Sequence, residues 1–248
     1  MKNDNSTHKF PHDNWAEYYD YVYEKTYGSV YEGFTKTSLD TILGLIVNKP
    51  SALLDFGAGT GRLSIPLALK NFDVISVEQS LPMLDVLKRK SKGLNLEIET
   101  HNCSIQNYNG RSTDLAICVF TVLNYITDSS ELQKICDNAY NHLKNGGLFF
   151  FDLADSGFFN NGESTSIERG NLKRVIKIIH DHDNVFTYIE SCNGILNGRN
   201  FEYNDKFPLR YWEHDEVHQL LVNSGFTRVL KTFPQFNNTG SEYFLYQK

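Results

Sequence analysis

The residues best suited to chemistry in this 248-residue chain lie together, in Leu53-Leu54-Asp55-Phe56-Gly57-Ala58-Gly59-Thr60-Gly61. A glycine-rich turn between a strand and a helix lets a ligand approach the backbone with no Cβ in the way. The glycines are spaced G-x-G-x-G, whereas a dinucleotide site needs G-x-G-x-x-G, and no Gly-Lys-Ser/Thr follows as in a phosphate loop. Asp55, two residues before the first glycine, repels a pyrophosphate and suits a cationic group. The ligand expected here carries positive charge near the turn and no phosphate. Glu78 is the second element. It directly follows the apolar run Val74-Ile75-Ser76-Val77, where a carboxylate can accept hydrogen bonds from both hydroxyls of a ribose.

Other reaction centres are not expected. Cys103, Cys118, Cys136 and Cys192 are widely spaced without a CxxC pair, which argues against a disulfide framework or structural zinc. The eight histidines form no HExxH, and His180-Asp181-His182-Asp183 reads as a polar turn, so no metal is expected. A net charge of −6 argues against nucleic acid, whose phosphates demand a basic face. The longest apolar candidate, 143–153, is broken by Lys144, Asn145 and Gly146, and no membrane span is expected. The first 13 residues are polar, without the apolar core of a secretory signal, so the expected compartment is the cytoplasm, as monomer or homodimer.

The elements that must position Asp55 and Glu78 follow an ordered alternation. Residues 15–47 have helical spacing, with Pro50 as terminator. Strands are expected at 52–56, 73–77, 94–100, 114–120 and 147–153, separated by helices at 62–70, 82–91 and 130–143. Strands nearly continuous in apolar residues, alternating with helices, make a parallel sheet covered on both faces. Residues 156–170, rich in Gly, Ser and Asn, read as a loop. Segments 172–179, 185–192 and 200–209 then form an antiparallel meander, and a helix at 213–224 with strands near 227–233 and 243–247 closes the chain. The domain reading is a helical lid over 1–50, a cofactor-binding core over 51–155, an antiparallel substrate-facing insertion over 156–210 and a completing segment over 211–248.

Three stretches, Asp55 to Gly61, Glu78-Gln79-Ser80-Leu81-Pro82-Met83-Leu84, and Leu143-Lys144-Asn145-Gly146-Gly147-Leu148, resemble the class I S-adenosylmethionine-dependent methyltransferases. The resemblance implies a Rossmann-like, doubly wound α/β sheet of seven strands with the last antiparallel, and S-adenosylmethionine as cofactor. It places Gly57, Ala58, Gly59 and Gly61 against the methionine part with Asp55 supporting its ammonium, Glu78 on the ribose, and Gln79 or Met83 beside the adenine. Asn102, followed by Cys103, stands where the family often has an acidic residue touching the adenine, and Phe120 completes the cofactor set. Such a reaction needs no metal or covalent nucleophile, because the cofactor carries the reactivity.

Acceptor signatures point to a small molecule. Phe120-Thr121-Val122-Leu123-Asn124-Tyr125 lacks the Asn/Asp-Pro-Pro-Tyr/Phe of base N-methylation and the Pro-Cys pair of cytosine C5 enzymes. The tyrosine-rich run 15–23 resembles the lid of small-molecule N-methyltransferases acting on glycine or amino sugars, with Tyr19 and Tyr23 as candidate contacts. In the meander, Arg174, together with Arg169, Arg210 and Tyr211, is a candidate for an anionic acceptor. The acceptor is therefore read as an amine, carboxylate or hydroxyl. The alternative is a cofactor-binding regulatory or scaffold protein of the same fold without turnover.

Overall fold

The computed structural model describes residues 10–46, 52–159 and 164–248. Residues 1–9, and Val47 and Pro50 at the expected end of the first helix, lie outside the described residues.

Seven strands form one sheet in the order β10-β11-β5-β4-β1-β2-β3. They are β1 (Ala52–Phe56), β2 (Asp73–Val77), β3 (Glu99–His101), β4 (Thr113–Cys118), β5 (Leu143–Ala154), β10 (Thr227–Arg228) and β11 (Ser241–Gln247). Strands β1 to β5 pair in parallel, and β11 enters antiparallel between β5 and β10. The expected doubly wound sheet with its antiparallel last strand is present. Each central strand is buried on both faces, which is why β1 and β4 read as nearly unbroken apolar runs. One face packs on α5 (Ser129–Asn141) and α6 (His214–Ser224) through Phe149, Phe151, Leu132 and Leu221. The other carries α3 (Ser64–Leu69) and part of the N-terminal helices, around Leu53, Phe72, Leu115 and Phe150.

Local chemistry sets the helix ends. Ser80 caps α4 (Leu81–Gly93), its Oγ accepting from Met83 N at 3.3 Å, with Pro82 in the first turn. Asp128 Oδ1 caps α5, accepting from Glu131 N at 2.9 Å. The stretch read as one helix over 15–47 is a 3₁₀ turn (Asp13–Tyr18), then α1 (Tyr19–Tyr27) and α2 (Ser29–Leu45), broken at Gly28 with φ 51°.

The second sheet is an antiparallel meander of four strands, β6 (Ser164–Arg169), β7 (Leu172–His182), β8 (Val185–Leu196) and β9 (Arg199–Arg210). Three strands were expected. The additional one, β6, falls in the polar stretch read as a loop, and its residues are largely exposed, so pairing with β7 rather than burial makes it a strand. In the main sheet, β3 begins only at Glu99, five residues later than expected, and β10 is only two residues long.

Candidate functional site

A cleft opens at the carboxyl ends of β1, β2 and β4, the position where open α/β sheets bind ligands. Its first wall is the turn after β1. Gly57 and Gly59 adopt φ of +72° and +55°, which L side chains rarely reach. Gly57 N and Ala58 N both donate to Val77 O, at 2.9 and 3.1 Å, tying the turn to the end of β2. Asp55 lines the cleft but is buried; it accepts from Ser64 Oγ at 2.6 Å, and that hydroxyl lies 2.7 Å from Ser76 Oγ. Burial pushes the Asp55 carboxyl up to about 6, although Ser64 and Arg62 pull it down.

Glu78 stands at the junction of two elements. Its Oε2 accepts from Gly59 N at 2.9 Å and its Oε1 from Ser80 N at 2.8 Å. A carboxylate offers about four acceptor positions, so about two remain, matching the two hydroxyls of a ribose. Burial again raises this carboxyl above its ordinary range, against the two backbone hydrogen bonds. Gln79, Met83 and Cys103 continue the lining beyond Glu78, with Ser104, Ile105 and Gln106 after them.

The third wall follows β4. Phe120 and Thr121 both have positive φ, 78° and 59°, a strained arrangement for two non-glycine residues in sequence. It is held by buried Asp152, whose two carboxylate oxygens receive Thr121 N at 3.0 and 3.1 Å. Phe120 thereby turns its ring into the cleft, where the Arg62 guanidinium sits 4.5 Å from its centroid. Burial lifts Asp152 to about 6; of the three buried carboxyls, Asp55 and Glu78 line the cleft and Asp152 stands behind the Thr121 backbone.

The remaining sequence-derived residues divide. Tyr19 lines the cleft, but Tyr23 packs behind it at a tilt, its ring centroid 4.6 Å from that of Tyr19. Asn102 does not line it; its Nδ2 donates to the carbonyls of Glu78 and Gln79, 3.0 Å each, and so staples the backbone after β2. Gly61 serves packing, since a Cβ there would lie 2.9 Å from Leu87 Cγ. Arg174 is placed away from the cleft. It is fully buried in a two-point ion pair with Glu190, at 2.7 and 2.8 Å, beneath the Tyr23 and Tyr27 rings. Arg210 is occupied by Glu216 at 2.9 Å and the Trp212 ring, and Arg169 is exposed on β6.

Sequence reasoning missed His12, Arg62 and Asp205. His12 closes the mouth of the cleft, with Nε2 2.9 Å from Tyr125 Oη. Asp205, on β9, accepts from His12 N at 2.9 Å and Trp15 Nε1 at 2.8 Å. The N-terminal segment is thus docked between α4 and the meander, with Trp15, Ala16 and Val22 buried against Met83, Val86 and Tyr203. Arg62, directly after the last glycine, was legible as a cation at the turn.

The site fits a ligand with an apolar, ribose-bearing body and a cationic centre. Its floor is backbone at the glycines, it has acceptor capacity at Glu78, and buried carboxyls gain stability from a nearby positive charge. Arg62 is the residue of this lining able to receive a carboxylate.

Residues 53–147 match the family described as "Methyltransferase domain". A methyltransferase-family protein of Geobacillus sp. (strain WCH70) is 28% identical over 192 residues, covering 71% of this chain and 73% of its own. Among solved structures, an S-adenosylmethionine-dependent methyltransferase from Clostridium acetobutylicum ATCC 824 superposes with a TM-score of 0.81 at 20% identity, over 93% of this chain and 98% of the other. The S-adenosylmethionine-bound amino pentose methyltransferase CalS10 from Micromonospora echinaspora gives 0.74 at 18% identity, over 98% and 99%.

Proposed function

We propose that this class I S-adenosylmethionine-dependent methyltransferase transfers its methyl group to the nitrogen of a small polar amine. When bound, S-adenosylmethionine supplies an electrophilic sulfonium methyl; the C–S electron pair stays on sulfur, and the acceptor nitrogen lone pair makes the new C–N bond.

The residues divide the work as follows. Glu78 fixes the ribose through its two remaining acceptor positions, Asp55 faces the ammonium, and Arg62 receives the carboxylate. The glycine turn allows close approach, and Met83 and Cys103 flank the adenine. Tyr19, Phe120 and Tyr125 enclose the transferring group, with ring faces that favour a cation and exclude water. The 3₁₀ turn over Asp13–Tyr18 and α1 act as the lid, and the meander supports that lid from behind.

The observation that carries the amine reading is the fate of the arginines. An anionic acceptor needs a cation beyond Arg62, which this reading gives to the cofactor's carboxylate, but Arg174 is committed to Glu190 and Arg210 to Glu216, and neither lines the cleft. The mouth offers aromatic faces and hydroxyls instead, which suit an amine. The likeness to an amino pentose methyltransferase points the same way.

A panel of glycine, free aminohexoses, nucleoside-diphosphate-linked amino sugars and small carboxylic acids tests this, with S-adenosylhomocysteine as the readout. Turnover is expected with an amine. Methylation confined to the carboxylic acids would overturn the amine reading.

A further inference from the structure

We infer that Tyr125, His12 and Asp205 form a proton relay that deprotonates the acceptor amine. The inference rests on the amine reading above and adds the groups that make the nitrogen reactive. A protonated amine has no lone pair to offer. Its proton must leave before the C–N bond forms, and a site already holding a sulfonium disfavours a second positive charge.

The geometry supplies the route. Tyr125 lines the cleft in the strained segment after β4, and its Oη lies 2.9 Å from His12 Nε2. Burial holds the Tyr125 hydroxyl well above the ordinary tyrosine range, so it does not ionise alone and needs a base behind it. His12 is that base if Nε2 is free of hydrogen. Its other ring nitrogen, Nδ1, lies 3.3 Å from Asp205 Oδ2 outside hydrogen-bond geometry, and the negative charge beside it favours the proton on Nδ1, which leaves Nε2 as the acceptor. Asp205 is itself fixed by His12 N and Trp15 Nε1, both on the same oxygen.

The backbone of His12 argues against a purely structural tie. It holds φ 70° and ψ −2°, a left-handed conformation, and the ring packs edge-on against Trp15, Tyr125 and Phe207 while lining the cleft. A residue serving only to anchor the segment would not need its free nitrogen turned onto a phenol in the cleft.

The proton balance is complete. The ammonium gives one proton to Tyr125 Oη as the Tyr125 proton passes to His12 Nε2, and the imidazolium so formed is paired with Asp205. The free amine then attacks, the product leaves as a methylated ammonium with the neutral thioether, and His12 returns its proton to water. Tyr125 is the group that touches the acceptor; His12 and Asp205 act through it.

The tautomer can be read without any acceptor. In protein labelled with ¹⁵N-histidine, long-range proton–nitrogen spectra in alkaline buffer should give His12 as the Nδ1–H form, its signal assigned by its loss in His12→Gln. An Nε2–H form would overturn the relay. Kinetics with the amine methylated in the panel form the second arm. His12→Gly suits the local φ, and should lower kcat by about 100-fold or more, a far larger factor than any change in the Kd for S-adenosylmethionine read by calorimetry. Added imidazole should restore kcat in His12→Gly but not in Tyr125→Phe. Unchanged kcat in His12→Gly, or a loss that imidazole does not restore, would also overturn it. Should no amine be methylated, the amine reading falls, and the tautomer alone decides whether His12 is set to accept a proton.

Discussion

Glu78 is hydrogen-bonded to Gly59 across the floor of the cleft, its Oε2 accepting the Gly59 N–H at 2.9 Å, while its other oxygen accepts the Ser80 N–H that opens α4. One carboxylate thus fixes the glycine turn and the helix start relative to each other before any ligand arrives. Its remaining lone pairs are preorganised, so their bonds to a ribose cost little ordering. Glu78→Ala should weaken S-adenosylmethionine binding by on the order of 2–4 kcal/mol, roughly 30- to 1,000-fold in Kd. The same change should lower Tm, because Gly59 N and Ser80 N lose their acceptor. Calorimetry and thermal unfolding check both, and unchanged affinity would remove Glu78 from the ribose.

Asp55 predicts a pH dependence. Its folded-state value, about 6, lies above the ordinary 3.8, so the folded protein holds this proton more tightly than the unfolded chain. Stability from this group is therefore complete below about pH 4 and is lost as pH rises through about 6. Asp55→Asn removes the ionisation, and its Tm relative to the wild type should move upward between pH 4 and 7. Cofactor binding has the opposite sign, because a cation favours the ionised form. Affinity for S-adenosylmethionine should rise from pH 5 to 7, with proton release near pH 6 visible by calorimetry in buffers of different ionisation enthalpy. A flat Tm difference across this range would show that Asp55 does not carry the effect.

The legible part of the site was the part built from local geometry. Gly57 and Gly59 are glycines because the turn needs positive φ, and Glu78 follows its strand directly, so spacing alone located them. His12 and Asp205 are 193 residues apart, one in a polar N-terminal run without periodicity and the other in a meander strand, and only the folded chain joins them. Arg174 misled for a related reason: a lone arginine in a strand looks solvent-facing, and nothing local announces Glu190, which lies diagonally across on β8, opposite Ile176. The same logic explains the fold errors. Strand β6 has no apolar alternation because it is an exposed edge, whereas the apolar residues at 94–98 precede a strand that pairs with β2 only from Glu99 onward. Asn95, at φ 54°, interrupts that approach.

Gly57 should be intolerant of a side chain on two counts. A Cβ there would lie 2.7 Å from Val122 Cγ1, and φ +72° would strain alanine. Gly57→Ala should cost about 1–2 kcal/mol from backbone strain and about 1–3 kcal/mol from overpacking. Gly57→Ala combined with Val122→Ala should recover the overpacking part alone. Chemical denaturation of both variants separates the contributions; full recovery in the double variant would mean that conformation matters less than space.

The buried pair Arg174–Glu190 should be asymmetric when broken. Glu190 also accepts from the Tyr188 and Tyr203 hydroxyls, so without Arg174 it keeps two donors. Arg174 without Glu190 remains charged and fully buried, beside the Tyr23 and Tyr27 rings. Glu190→Leu should therefore destabilise by about 3–5 kcal/mol, the usual cost of stranding a buried charge, and Arg174→Met by clearly less. Because the same rings belong to α1, hydrogen exchange in that helix should accelerate in Glu190→Leu. Combining the two substitutions should cost less than Glu190→Leu alone, since no charge is then stranded. A double variant whose loss equals the sum of the single losses would show that the two side chains are not coupled.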